Sequence, residues 1–121
     1  AGPREQVLAG VCAAHLAHLE LDAGYFEEGA HWAERSLELL QEFVLGLSDA
    51  REDRESAALA IATSYCLQCD VARLLERYDA ALPWLDRALE VVDVHADLSI
   101  DCTHMRDHVR AEMERIRALQ V

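Results

Sequence analysis

Cys66 and Cys69 stand three positions apart, His104 and His108 four apart, and Cys102 precedes the first of those histidines by two. A Cys-x-x-Cys pair can exchange a disulfide or hold a metal, and two histidines one helical turn apart can share an ion. Each chemistry has requirements. A reactive thiolate wants a helix N-terminus or a neighbouring cation, and a structural zinc wants four convergent ligands. Cys66 and Cys69 fall in the middle of a segment rich in alanine, where buried thiols that pack are the expectation. Were a metal held, Cys66, Cys69, Cys102 and His104 would be the natural ligands, in a small Cys/His metal-binding helical bundle. No catalytic residues and no cofactor are expected, because no glycine loop able to cradle phosphate and no nucleophile elbow occurs in the chain.

"HMRDH", residues 104–108, is faintly similar to the His-x-x-Glu-His motif of inverted zinc peptidases, with Asp107 in place of the glutamate. Such an enzyme needs a further distant carboxylate and a substrate cleft. A solvated helix face bearing histidines is the plainer expectation here, and the same holds for His15 and His18.

The elements that must position these side chains are helices. Val7, Val11, Ala14, Leu16, Leu19 and Leu21 supply the apolar positions of a first helix that ends at Gly24, a residue suited to a helix terminus. Phe26, Ala30, Ala33, Leu37 and Leu40 recur at helical spacing, as do Ala81, Trp84, Leu85, Ala88 and Val92. Pro83 belongs near a helix start, so the fourth helix is expected to begin around Asp79. Ser48 or Asp49 could cap a long third helix running through Leu75. Cys102, Met105, Val109, Met113, Ile116 and Leu119 form the stripe of a fifth, with Arg106, Arg110, Glu114 and Arg117 outside it. No segment alternates as a strand would, so the expected class is all-α with five helices in a single domain over residues 1–121. Unit one is expected over about 5–45, a linker over 46–54, unit two over 55–95 and a final helix over 98–119.

The chain also repeats itself. At an offset of 52 residues Phe26 pairs with Tyr78, Glu27 with Asp79, Gly29 with Ala81, Trp32 with Trp84, Arg35 with Arg87 and Leu37 with Leu89. Small residues, Ala13, Ala17, Gly29 and Ala33 in one unit and Ala62, Cys69, Ala72, Ala81 and Ala88 in the other, would let the paired helices approach closely.

"YFEEGAHWAERSLEL" and "YDAALPWLDRALEV" resemble the second helix of a tetratricopeptide repeat: an aromatic, an acidic residue, a small residue, then an aromatic segment closing on Arg, a small residue, Leu and Glu. Leu16-Ala17 matches the usual step of the first helix, and Gln68-Cys69 keeps only its small residue. The spacing departs from the family, since the offset here is 52 residues against about 34. The proline that commonly closes a unit is missing after both copies. The resemblance implies a right-handed array of two helical hairpins plus a capping helix, whose first helices line a groove for a peptide or helix. Ala14, His18, Thr63, Cys66, Asp70 and Arg73 are the residues it would place there. The family's chaperone-binding members hold a terminal carboxylate with Lys and Asn; Ala14, His18, Thr63 and Leu67 stand at those places, so that clamp is absent.

Composition narrows the partner. The net charge is −12 and every one of the 11 basic residues is arginine. Such a surface repels phosphate backbones and attracts basic peptides, so nucleic acid is not expected and a basic protein or peptide is. No apolar run reaches the roughly eighteen residues of a membrane span, and no secretory leader is evident, so no membrane association and a cytoplasmic location are expected. Fewer than three stacked repeats bury little core, which points to a homodimer or to part of a longer repeat protein. An oligomerisation module of a regulatory protein is the further alternative.

Overall fold

The computed structural model describes residues 3–42, 51–94 and 100–119. They form five α-helices: α1 (Pro3–Asp22), α2 (Phe26–Glu42), α3 (Arg51–Leu74), α4 (Tyr78–Val94) and α5 (Ile100–Leu119). Among the described residues there is no strand, and no helix is long and apolar enough to cross a membrane. The fold is all-α, as the periodicity required. Residues 51–54, expected in the linker, are the first turn of α3. The proposed caps Ser48 and Asp49 lie outside the described residues.

α1 and α2 pack antiparallel. Near the open end of this hairpin Gln6 donates to the Leu39 carbonyl at 3.0 Å, and one turn further in Ser36 donates to the Gly10 carbonyl at 2.8 Å. That second bond needs the helices to touch. A Cβ on Gly10 would lie 2.3 Å from Leu40 Cγ, so Leu40 occupies the volume that any other residue at position 10 would need. In the second hairpin the Gly10 and Ser36 places are taken by Ala62 and Ala88, both wholly buried, so two methyl groups replace one hydrogen bond. All the small residues expected at the crossings are buried, Gly29 among them.

The turns that close the two hairpins are copies of each other. Gly24 has φ 89° and Glu76, at the same place in the second hairpin, has φ 58°. In the first turn Gly24 N–H donates to Leu21 O and Tyr25 N–H to Glu20 O; in the second Glu76 N–H donates to Arg73 O and Arg77 N–H to Ala72 O. This pair of bonds around a left-handed residue is the Schellman arrangement, which satisfies the last carbonyls of α1 and α3. From there the likeness runs on through the second helices. Residue by residue, 21–40 and 73–92 share the same sequence of buried, half-buried and exposed positions without an exception.

α3 is the central helix, covered by α1 and α2 on one side and by α4 and α5 on the other. One buried cluster joins Val7 and Ala14 of α1, Leu40 of α2 and Ala57, Ala60 and Ile61 of α3; another joins Leu85, Ala88 and Val92 of α4 to Val109, Met113 and Ile116 of α5. Pro83 sits six residues into α4, a turn deeper than a helix start, and brings no N–H of its own to the helix there. Three expected core positions turn out to be exposed: Leu16, Leu19 and Leu119. For Leu119 the reason is its place in the last turn of α5. Leu16 and Leu19 lie on a face of α1 that stays exposed.

Candidate functional site

α1 and α3 are the first helices of the two hairpins and lie side by side. Between them opens a cleft of about 430 Å³ lined by Val11, Ala14, His15 and His18 of α1 and Ser56, Leu59, Ala60 and Thr63 of α3. Its width follows from side-chain size. Alanines at positions 14 and 60 leave room that larger residues would fill, and both are buried floor positions. The two imidazoles form part of its edge; His18 Nε2 lies 3.2 Å from Asp22 Oδ2 one turn along α1.

Ala14, His18 and Thr63, three of the residues placed in a groove from the sequence, line this cleft. Cys66, Asp70 and Arg73 do not; they lie farther along α3, where Arg73 reaches Glu112 of α5 and Asp70 feels the charge of His108. There Arg73 donates to Asp70 Oδ1 and to Glu112 Oε2, each at 3.1 Å, and Arg115 donates to the other oxygen of Glu112. Arg73 is thereby spent on tying α3 to α5. Glu112 was not foreseen as a partner, because nothing in an exposed-looking Arg-Ala-Glu-Met run marks which carboxylate another helix will use.

Asp70 is the electrostatic centre of this face. Burial raises its pKa, while Arg73, then His108 of α5 and His18 of α1, act in the opposite direction; burial prevails. Three first-of-hairpin or following helices therefore present ionisable groups to one carboxylate. The thiols behind it are silenced. Burial, then the charges of Asp70 and Cys69, push Cys66 up to about 12, and burial followed by Asp70 pushes Cys69 up to about 11. Neither is a nucleophile at neutral pH. Cys12 is the exposed thiol, on the outside of α1, and Cys102 is buried at the start of α5.

The suggested metal ligands do not converge. Cys69 and Cys102 are core side chains, His104 is exposed on α5, and among the described residues no three His, Cys, Asp or Glu side chains form a group able to hold a metal ion. His104 and His108 both lie on the exposed surface of α5, with Asp107 between them paired to Arg106 Nε at 3.7 Å.

The two tryptophans occupy equivalent half-buried places with different neighbours. Trp84 stacks against Tyr65 at 5.9 Å between ring centroids and carries the Arg87 guanidinium 4.9 Å above its ring. At the corresponding places in the first hairpin stand Ala13 and Arg35. Ala13 offers no ring, and Arg35 turns to Glu38 at 3.2 Å. Trp32 instead packs with Leu21, Ala33 and Leu67. Both tryptophans fill space between helices, and neither lines the cleft.

No family model, no curated protein and no solved structure matches the chain.

Proposed function

We propose that the chain is a protein-interaction scaffold that seats a peptide or a helix in the cleft between α1 and α3, with no chemistry of its own. The observation that carries this reading is the cleft, an apolar floor of Val11, Ala14, Leu59 and Ala60 with His15, His18, Ser56 and Thr63 around it. Its walls are the first helices of two hairpins whose turns and burial repeat position by position, and this favours the tetratricopeptide-like reading of the sequence. Peptide recognition by an apolar groove with a few polar groups at its edge needs nothing further.

The partner is basic. A net charge of −12 draws in cationic chains, and Asp22 stands 3.2 Å from His18 Nε2 at the cleft's edge. An exposed thiol at Cys12, with three more thiols shielded, suits a reducing cytoplasm.

Titration with two synthetic amphipathic peptides, identical except that one carries arginines where the other carries glutamates, tests the proposal. The arginine peptide binds and weakens as salt is raised, because the attraction is between exposed charges. Thr63→Trp fills the cleft and abolishes binding while the helical circular dichroism stays unchanged. Equal binding of the two peptides would remove the basic partner, and undiminished binding by Thr63→Trp would remove the cleft.

A further inference from the structure

Displacing the first hairpin onto the second leaves one interface without a counterpart. Leu8, Cys12, Leu16 and Leu19 of α1 correspond, 52 positions on, to Ala60, Ser64, Gln68 and Val71 of α3. On α3 this face is covered by α2. Ala60 shares a buried cluster with Leu37 and Leu40, Ser64 is wholly buried, Gln68 donates to the Ala30 carbonyl at 3.0 Å, and Val71 borders the same cleft as Ala30. On α1 the equivalent face is bare: Leu8 is 57% exposed, Leu16 39% and Leu19 62%, with Cys12 exposed among them.

The other end of the molecule is finished differently. The α4 face equivalent to the one α2 lays on α3 is covered by Val109, Met113 and Ile116 of α5. The outward surface of α5 then carries His104, Asp107, Arg110 and Glu114, a solvated face. α1 has no such finish, since from Gln6 to Leu19 it holds no aspartate, glutamate, lysine or arginine. A helix apolar on nearly every side is one that other helices surround. Scattered exposed leucines are ordinary on a protein surface. Here the molecule itself displays what covers the same face one hairpin later.

We propose that the outer face of α1 is a docking site for an amphipathic helix of α2's kind. Its contact residues follow α2's own order, small at two successive places and leucine at the next two, as Ala30, Ala33, Leu37 and Leu40. The occupant lies antiparallel to α1, as α2 lies to α3. Its small residues face Leu16 and Leu19, whose bulk replaces that of Gln68 and Val71, and it shields Cys12. A second copy of the chain is a poorer occupant, because its own faces of this type are already covered by its α3 and α5. The site lies on a different side of α1 from the peptide cleft and does not depend on it.

Cys12 reports occupancy, as the one exposed thiol. A second copy of residues 25–42 is joined ahead of the full chain by a flexible linker of about fifteen Gly and Ser residues, which sets a millimolar effective concentration. Labelling of Cys12 by a disulfide reagent is then followed at neutral pH. In the tethered protein it slows about tenfold. Leu8→Glu with Leu19→Glu in α1 restores the rate, and both side chains are exposed enough that the fold survives, as circular dichroism checks. Equal rates with and without the tether would overturn the proposal. So would equal protection when the added segment carries Ala33→Glu and Leu37→Glu, since any nearby chain would then suffice. Labelling of the untethered protein that slows with rising protein concentration would seat a second copy on the face instead, and overturn it too.

Discussion

Gly24 and Glu76 occupy the same point of two equivalent turns, with φ 89° and 58°, although only one of them is a glycine. A side chain in this left-handed region costs about 1–2 kcal/mol, so the second turn stores strain that the first avoids. No atom outside the turn approaches a Cβ built on Gly24 within 4 Å, which makes the penalty there purely conformational. Gly24→Ala is expected to lower stability by about 1 kcal/mol. Glu76→Gly is expected to raise it by up to about 1 kcal/mol, reduced by the extra freedom glycine brings to the unfolded chain. Urea unfolding measures both, and the same sign for the two changes would refute the equivalence of the turns.

Close contact within the first hairpin rests on Gly10. A methyl group there meets Leu40 Cγ, Cδ2 and Cδ1 at 2.3, 2.5 and 2.8 Å, so Gly10→Ala is expected to destabilise by about 1–3 kcal/mol. Leu40→Ala should absorb part of that loss, giving a double mutant less damaged than the sum of the single changes. Ser36→Ala removes the buried bond to Gly10 O and is expected to cost about 1 kcal/mol. Additive single and double changes would show that residues 10 and 40 do not compete for space.

Thiol chemistry separates the four cysteines. At neutral pH only Cys12 should label quickly, with Cys66, Cys69 and Cys102 following at the rate of unfolding. Cys66 keeps its proton up to about 12 when folded, against 9.0 ordinarily. The folded state therefore binds the proton that the unfolded state releases, and stability falls as pH rises from about 9 towards 12. Cys66→Ala should flatten part of that alkaline decline. An unchanged slope in the variant would assign it to other groups.

Asp70 follows the same rule at the acid end. Its folded pKa is raised from 3.8, so stability drops as pH climbs through the window that opens there. Asp70→Asn keeps an acceptor for Arg73 and removes the half-buried charge. The variant should gain on the native protein from acidic to neutral pH, read as urea midpoints. A constant difference across that range would mean that burial does not govern this carboxyl.

Arg73 ties α3 to α5 through the half-buried Glu112. Arg73→Met is expected to cost about 1 kcal/mol, since the arginine is partly in water. Amide exchange should quicken in α5 while α1 and α2 keep their protection. Uniform acceleration would instead make the pair a support of the whole fold.

Five helices, their class and their echo were legible in the residues, because helical periodicity and a shared set of small residues are local properties of the chain. Even the crossings could be foreseen at Ala17, Gly29, Ala62 and Ala88, where size alone decides whether two cylinders touch. Ala14, His18 and Thr63, named together from the sequence, lie along one cleft. Asp70 and Arg73 look like free charges in the sequence and are not, since Glu112 is 39 positions from Arg73 and only the packing of α5 brings it near.

Leu16 and Leu19 show where the sequence ceased to decide. Their spacing reads as core, and in isolation nothing separates them from Val7 or Ala14. Burial of an apolar stripe requires a neighbour, and how many neighbours a helix has is set by its place in the assembly rather than by its own residues. Among the described residues α3 packs extensively against α1, α2, α4 and α5, whereas α1 packs extensively against α2 and α3, so equivalent faces of two similar helices end up covered in one case and exposed in the other.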